Sequence, residues 1–311
     1  MLLNILIIVV GIALVLWGAD RLTDGAVAVA EKMKMPQIVI GLTIVAMGTS
    51  MPEFCVSFIS ALKGTSDLAV GNIVGSNIFN ALLIVGVSAL VAPMTIMETT
   101  VRKDIPFALV ASALLLIMCL DGNISRIDAG ILFAMFLIFM YMTLKGAKKQ
   151  GADAEEAIEG EGKKPMATWL SVVWILIGLL CLIGGSNLFV EGATAVAANL
   201  GVSEAVIGLT IVAGGTSLPE LATSVVSARK GNSGIAIGNV LGSNVFNILA
   251  ILGITGMITP MTLKGITYID LSMLVISIMI VWLFSFTKYK IERWEGAVLT
   301  AVFVGYIYSL L

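Results

Sequence analysis

A block of forty residues occurs twice in this chain, 167 positions apart. Residues 41–80 read GLTIVAMGTSMPEFCVSFISALKGTSDLAVGNIVGSNIFN, and residues 208–247 read GLTIVAGGTSLPELATSVVSARKGNSGIAIGNVLGSNVFN. Aligned without a gap, the two copies are identical at 25 of 40 positions. This similarity indicates an internal duplication, so the two halves of the chain are expected to fold into similar units.

The composition is that of a membrane protein. Hydrophobic residues make up 59% of the 311 residues and charged residues only 12%, whereas soluble domains carry about 25% charged residues. The charges fall in short gaps between apolar runs that are long enough to cross a hydrocarbon core of about 30 Å. We therefore expect an all-α polytopic membrane protein with about ten transmembrane helices. Their predicted positions are near residues 3–30, 37–62, 68–91, 104–121, 127–146, 167–197, 204–228, 234–258, 266–286 and 293–310.

The spacing of the duplicated block predicts an inverted repeat. Equivalent positions are separated by five spans, and because five is odd the second half crosses the membrane in the opposite sense. Inverted five-helix repeats are typical of secondary transporters, whose binding site lies where the halves meet near the membrane midplane. The predicted units are a first repeat at 1–147, a polar cytoplasmic linker at 148–165 and a second repeat at 166–311.

The basic residues predict the orientation of the chain. With loops placed alternately on two sides, 14 lysines and arginines fall on one side and 3 on the other. The basic side is expected to be cytoplasmic, which places both termini outside. No basic run is long enough to indicate nucleic-acid binding.

Each copy of the block carries one glutamate, Glu53 or Glu220, in the motif GTS-x-PE. A carboxylate at bilayer depth costs roughly 2.5–3.5 kcal/mol even on lenient insertion scales, which favours a functional role. Two such residues related by duplication indicate one symmetric cation site. The alternative for Ser50 and Ser217 is structural, because Ser-x-x-Glu also fits a capping box that begins a helix.

The prolines of the same motif, Pro52 and Pro219, predict a broken helix. Proline lacks an N–H and clashes with the carbonyl four residues earlier, which would free the oxygens of Gly48 and Gly215. Unwound backbone at this depth is tolerated where it lines a cavity, and free carbonyls can coordinate cations there.

The second motif, GN-x-x-GSN-x-x-N, adds amides and hydroxyls. Asn72, Ser76 and Asn80 are spaced to share one helix face, and the second copy repeats the pattern. For the asparagines, hydrogen bonding between helices and ion binding both remain open.

The available ligands indicate a hard cation. Two carboxylates, hydroxyls, amide oxygens and free carbonyls suit Ca²⁺, which takes six to eight oxygens, and the same oxygens can hold Na⁺. The chain contains no histidine, so the commonest general base and transition-metal ligand is missing. We expect no enzymatic activity and no cofactor.

The two copies of GTS-x-PE followed by GN-x-x-GSN-x-x-N resemble the α-repeats of the calcium/cation antiporter superfamily, in particular the compact prokaryotic sodium/calcium exchangers. The resemblance implies a ten-helix fold in the plasma membrane of a prokaryote, with four ion sites at mid-membrane. It implies Ca²⁺ binding by Glu53, Glu220, Thr49 and Thr216; Na⁺ binding by Ser50, Ser217, Ser76, Ser243 and the carbonyls of Ala46 and Ala213; and a cluster centre completed by Asn80 and Asn247.

The sequence thus predicts a Na⁺/Ca²⁺ antiporter that works by alternating access, electrogenically and as a monomer, with several Na⁺ per Ca²⁺. Some relatives carry aspartate where this chain has Asn247, and asparagine favours independence of K⁺. Asp20, Asp24 and Glu191 are expected at the interface between the spans that move and the core, not among the ligands. The alternatives are an H⁺/Ca²⁺ antiporter of the same fold and, from another class, a Ca²⁺-permeable channel.

Overall fold

The computed structural model describes residues 1–154, 166–201 and 213–310, and over these ranges the chain is almost entirely helical. The helices are α1 (Leu2–Lys32), α2 (Gln37–Thr49), α3 (Met51–Leu62), α4 (Ser66–Val91), α5 (Thr100–Asp121), α6 (Arg126–Ala154), α7 (Thr168–Asn199), α8 (Ala213–Thr216), α9 (Leu218–Arg229), α10 (Ser233–Ile258), α11 (Tyr268–Ser285) and α12 (Arg293–Leu310). Four two-residue strands are β1 (Met94–Thr95), β2 (Asn123–Ile124), β3 (Met261–Thr262) and β4 (Lys290–Ile291).

These helices occupy the positions predicted for the spans. Within the described residues, seven single helices are long and apolar enough to cross a membrane, and the α2–α3 pair forms an eighth span. The predicted seventh span falls partly on residues 202–212, outside the described part. The last predicted span corresponds to α12. One boundary differs from the prediction, because α6 continues to Ala154 and so includes the start of the predicted linker.

The predicted helix break in the first motif is confirmed. Helices α2 and α3 meet at Ser50 with a bend of 48°, and Pro52 lies in the first turn of α3, where a missing N–H is tolerated. The second copy of this motif breaks at the equivalent Ser217, which precedes α9.

Wider π-helical turns occur in the same part of the fold. They span Gly41–Val45 in α2, Phe79–Ile84 in α4 and Phe246–Ile251 in α10. Such turns shift the side chains that follow them around the helix axis and are frequent at functional sites.

The strands reproduce the repeat symmetry. Strand β1 pairs antiparallel with β4, through Met94 opposite Ile291, and β2 pairs with β3, through Ile124 opposite Met261. Met94 and Met261 are equivalent residues of the two copies, so each half contributes the same strand to a ribbon completed by the other half.

Helices α10 and α4 form the centre of the molecule. All of the apolar window of α10 and 72% of that of α4 are buried, against 22% for α1 and 28% for α7. Helices α1 and α7 therefore lie at the periphery, where they expose large apolar side chains such as Leu6 and Leu180.

Glycines bring α1 and α7 into very close contact. A Cβ atom added at Gly18 would lie 2.8 Å from the Gly178 carbonyl oxygen, and one added at Gly11 would lie 2.7 Å from that of Gly185. Only small residues permit such an approach of two membrane helices, so α1 and α7 form a tightly joined pair.

Candidate cation site

Two buried glutamates face each other across the interface between the repeats. Glu53 and Glu220 are both fully buried and lie in the first turns of α3 and α9, where the helix dipole favours negative charge. Ser217 donates a hydrogen bond to Glu53 Oε1 at 2.9 Å, and Ser50 donates one to Glu220 Oε1 at 2.8 Å. Each glutamate is therefore held by the serine of the opposite repeat.

A second serine in each half lies beside the glutamate of its own repeat. Ser76 Oγ is 3.2 Å from Glu53 Oε1, and Ser243 Oγ is 3.4 Å from Glu220 Oε1. Ser76 Oγ is also 2.8 Å from Ser217 Oγ. The four serines predicted from the sequence thus lie together around the two carboxylates.

The capping-box alternative for Ser50 and Ser217 is wrong. Both residues occupy the N-cap positions of α3 and α9, but neither side chain makes a capping hydrogen bond. Their hydroxyl groups contact the opposite glutamate instead, because burying a carboxylate is costly unless it receives hydrogen bonds.

Asn80 and Asn247 lie at the interface of α4 with α10. Asn80 Nδ2 donates to Asn244 Oδ1 at 3.0 Å, and Asn247 Nδ2 donates to Asn77 Oδ1 at 2.9 Å. Both asparagines are fully buried. Their nitrogens thus take the helix-to-helix role that the sequence left open, while their oxygens remain available.

Four buried oxygens at this interface lack a hydrogen-bond donor among the described residues. They are Glu53 Oε2, Glu220 Oε2, Asn80 Oδ1 and Asn247 Oδ1, two pairs of equivalent atoms from the two repeats. Ser76 connects the pairs, since its Oγ lies 3.2 Å from Glu53 Oε1 and accepts from Asn247 Nδ2 at 3.4 Å. Buried acceptors are normally satisfied, and a hard cation satisfies such a set of oxygens.

The remaining predicted residues flank the helix break in each copy of GTS-x-PE. Thr49 is fully buried, and its hydroxyl donates to Asn239 Oδ1 at 3.0 Å. The Ala46 carbonyl accepts the Ser50 N–H at 3.0 Å. On the second copy, Thr216 ends the short helix α8 that Ala213 begins, and the side chain of Ala213 lies outside the described part.

Helix α7 contacts both glycines whose carbonyls the prolines were predicted to free. The Gly215 carbonyl accepts a short hydrogen bond from Ser186. At Gly48 the α7 side chain of Leu179 packs so closely that an added Cβ would lie 2.6 Å from it. Helix α7 therefore lies against both helix breaks.

Two further pairs of asparagines support the site, and the sequence did not assign them to it. Asn72 Nδ2 donates to Ser57 Oγ at 2.9 Å, and the equivalent Asn239 Nδ2 donates to Ser224 Oγ at 3.0 Å. The other pair is Asn77 and Asn244. Each of these asparagines occurs in both copies of the block, and this repetition was the sequence signal that could have indicated them. Repetition alone does not distinguish a residue that binds the ion from one that positions the binding residues.

Outside the site, Asp20 and Asp24 belong to an ion cluster between α1 and α9. Lys230 Nζ lies 2.5 Å from Asp20 and 2.8 Å from Asp24, and Arg21 lies 3.0 Å from Asp20. Nearby, the hydroxyls of Thr23 and Ser227 are 2.9 Å apart and buried. This cluster joins the peripheral pair to the core, at the interface expected from the sequence.

A cavity of about 460 Å³ lies between α3 and α7. It is lined by residues of both helices, including Pro52, Cys55, Ser186 and Glu191, and it reaches Thr216. Glu191 occupies the position in the second repeat that Asp24 occupies in the first. The cavity thus connects the region of Glu191 with the helix breaks beside the glutamates.

The family model for the sodium/calcium exchanger protein matches residues 3–145 and 170–311. The chain belongs to this family. The sodium/calcium exchanger family consists of transporters, so this chain is a multi-span membrane antiporter, and Na⁺ and Ca²⁺ are the ions with which its family is associated.

Known exchangers are similar to the chain over nearly its full length. It is 31% identical to the sodium/calcium exchanger MaX1 of Methanosarcina acetivorans, covering 99% of this chain and 98% of that protein. It is 36% identical to the putative antiporter CaxA of Alkalimonas amylolytica, over 100% and 99%. The solved structure of the sodium–calcium exchanger NCX_Mj superimposes with a TM-score of 0.87 at 30% identity, covering 100% of this chain and 99% of that one.

Proposed function

We propose that this exchanger moves Ca²⁺ out of the cell in return for Na⁺, by alternating access to one site between the repeats. The observation that supports this most directly is the set of four unsatisfied oxygens on Glu53, Glu220, Asn80 and Asn247. Two carboxylates and two amides give an all-oxygen site with a formal charge of −2, which a divalent cation neutralises.

In this proposal Ca²⁺ binds to Glu53 and Glu220, with Thr49 and Thr216 as further ligands. Na⁺ binds on either side of the centre, through the hydroxyls of the four serines and the carbonyls of Ala46 and Ala213. The serine pairs support this assignment, because each lies within 3.4 Å of a carboxylate oxygen. The ions compete for the same carboxylates, so binding of one favours release of the other.

We further propose that exchange is electrogenic and independent of K⁺. Several Na⁺ per Ca²⁺ would move net charge, and each elementary charge contributes about 2.3 kcal/mol per 100 mV of membrane potential. Asn247 is neutral, so the centre carries two carboxylates rather than three and lacks the extra charge that a K⁺-dependent centre would use. No cofactor is required.

The proposed setting is the plasma membrane of a prokaryote, with both termini outside and a monomer as the working unit. The excess of lysine and arginine in alternate loops supports this orientation. A site formed within one chain by its two repeats supports the monomer, because no second copy is needed to complete it.

Calcium uptake by reconstituted vesicles tests the proposal. Purified protein in liposomes loaded with Na⁺ is diluted into Na⁺-free medium containing ⁴⁵Ca²⁺. Vesicles loaded with K⁺, and K⁺ vesicles with an imposed pH gradient, are run in parallel. We expect uptake only with internal Na⁺. An inside-positive potential imposed with valinomycin and external K⁺ should speed uptake if three or more Na⁺ leave per Ca²⁺, because net positive charge then moves outward, and should slow it if only one Na⁺ leaves.

The other outcomes identify the alternatives. Uptake driven by the pH gradient alone would assign the protein to proton-coupled exchange. Uptake without any counter-ion would indicate a Ca²⁺-permeable channel and would overturn the antiport mechanism.

A further inference from the structure

Asn77 and Asn244 form a reciprocal bridge between α4 and α10. Asn77 Nδ2 donates to the Asn244 backbone carbonyl at 3.2 Å, and Asn244 Nδ2 donates to the Asn77 carbonyl at 3.3 Å. Both side chains are buried, with exposed fractions of 0% and 1%. The two residues are equivalent in the two copies, so the bridge follows the repeat symmetry.

This bridge determines which end of each amide is a donor. A backbone carbonyl only accepts hydrogen bonds, so the atom of Asn77 that faces it must be the nitrogen. The other end of Asn77 is then an oxygen, and it accepts Asn247 Nδ2 at 2.9 Å. In the same way, Asn244 Oδ1 accepts Asn80 Nδ2 at 3.0 Å.

The orientation passes from the bridge to Asn80 and Asn247. With their nitrogens held by Asn244 and Asn77, the opposite ends of these amides are oxygens, and these are two of the four oxygens without a donor among the described residues. If either amide turned by 180°, it would present N–H groups to a bound cation instead of a lone pair. That contact would be repulsive.

We propose that Asn77 and Asn244 are positioning residues that fix the amides of Asn247 and Asn80 with oxygen toward the cation. This inference rests on the proposed function of the same site. Each of the two residues acts through its neighbour, because its amide nitrogen is held by a backbone carbonyl and its amide oxygen holds the nitrogen of Asn247 or Asn80.

A double-mutant cycle with Asn247→Asp separates positioning from packing. A carboxylate has an oxygen at both ends, so aspartate at 247 needs no orientation. In the wild-type chain we expect Asn77→Ala to weaken Ca²⁺ binding about 10-fold, equivalent to the loss of one buried hydrogen bond of roughly 1.4 kcal/mol. In the Asn247→Asp chain we expect Asn77→Ala to change the dissociation constant less than about 2-fold. Aspartate presents an oxygen to the cation whichever way it is turned, so the effects of the two mutations are not additive.

The readout is the Ca²⁺ dissociation constant of purified protein, measured by titration calorimetry in Na⁺-free buffer. Size-exclusion profiles and melting temperatures show whether each variant is folded. If Asn77→Ala does not fold, the symmetric cycle of Asn244→Ala with Asn80→Asp gives the same test. Asn232→Ala is the matched control, because it removes another amide contact between the repeats, that with Gln37. We expect it to leave the dissociation constant unchanged.

Equal losses in both backgrounds would overturn the inference, since a packing role does not depend on the residue at 247. That result would leave the proposed function intact as long as the wild-type protein binds Ca²⁺. Absence of Ca²⁺ binding by folded wild-type protein would instead contradict the proposed function itself.

Discussion

Ser50 of the first repeat donates a 2.8 Å hydrogen bond to Glu220 of the second. The symmetric bond, from Ser217 to Glu53, is 2.9 Å long. The two bonds cross the interface in opposite directions, so neither carboxylate has its full set of donors within its own repeat. Each glutamate therefore depends on the other repeat for one of its hydrogen bonds.

Neutralising either glutamate should abolish exchange. Glu53→Gln and Glu220→Gln each remove one charge from a buried site, and loss of one charge from a buried ionic interaction corresponds to about 3 kcal/mol or more. We expect Na⁺-dependent ⁴⁵Ca²⁺ uptake to fall at least ~100-fold. Glu295→Gln is the matched control, because Glu295 is also fully buried but holds the Glu292 N–H instead. Retained uptake in either site variant would refute the assignment.

Adding a carboxylate at the centre should change ion dependence. Asn247→Asp replaces a neutral amide by a charged carboxylate at the proposed site, so we expect Ca²⁺ to bind about 10-fold more tightly, or exchange to require another cation. Calcium dissociation constants and uptake in Na⁺ with and without K⁺ measure this. Asn232→Asp introduces the same charge at the start of α10 and should have no effect. An unchanged Asn247→Asp protein would show that this side chain does not face the ions.

Removing one of the serine hydroxyls that bond across the interface should weaken Na⁺ binding more than Ca²⁺ binding. Ser50→Ala and Ser217→Ala each delete a hydrogen bond to a carboxylate and a proposed Na⁺ ligand. A hydrogen bond to a charged group contributes roughly 1.5–3 kcal/mol, so we expect the Na⁺ concentration for half-maximal uptake to rise ~10-fold. Ser88→Ala, at a buried serine of α4, is the control. Equal shifts for Na⁺ and Ca²⁺ would argue for a structural effect.

Breaking the ion cluster at Lys230 should change how α1 and α7 are populated in their positions against the core. Lys230 ties α1 to α9 through Asp20 and Asp24, and such partly exposed pairs contribute up to about 1 kcal/mol. We expect Lys230→Ala to populate a state in which the cavity beside α7 is narrower. Cys55 lines this cavity, so its modification by a membrane-impermeant maleimide should slow up to ~5-fold.

The maleimide experiment uses a Cys181→Ser background, since Cys181 is also partly accessible. Arg102→Ala serves as the control. It also removes an exposed ion pair, that with Glu98, but the two residues are only four positions apart at the start of α5. If Lys230→Ala leaves the rate of Cys55 modification unchanged, the cluster does not influence the cavity.

Two adjacent glycines of α7 should respond differently to a methyl group. A Cβ added at Gly185 would lie 2.7 Å from the Gly11 carbonyl oxygen, whereas one added at Gly184 would meet nothing within 4 Å. We expect Gly185→Ala to destabilise the protein by about 1–3 kcal/mol and to lower its melting temperature. Gly184→Ala should leave that temperature unchanged. Similar melting temperatures for the two variants would contradict the close pairing of α1 with α7.

The sequence allowed the spans, the inverted repeat and the helix break at Ser50 to be predicted, because each depends on local hydrophobicity or on proline geometry. The burial of Glu53 and Glu220 in one candidate site was predictable too, since a carboxylate in an apolar run is conspicuous. The sequence could not give the partner of Ser50, because a capping box and a contact with the other repeat use the same residues. That choice depends on packing across the interface.

The role of Asn77 was likewise beyond the sequence. Its position within GSN suggested nothing different from that of Asn80, three residues later, although the π-helical turn at Phe79–Ile84 separates their environments. Such a turn depends on tertiary packing. The contact of Lys230 with Asp20 and Asp24 joins residues more than 200 positions apart, so no local pattern indicates it.

The serine–glutamate hydrogen bonds between the repeats have a consequence for the synthesis of the protein. When the first five helices have entered the bilayer, Glu53 is already in place but Ser217 has not yet been synthesised. The nascent half therefore holds a carboxyl group with one donor, Ser76, while its other donor arrives only with the seventh span. The two halves are thus incomplete as separate polypeptides, and co-expressed halves would regain a finished centre only by pairing with each other.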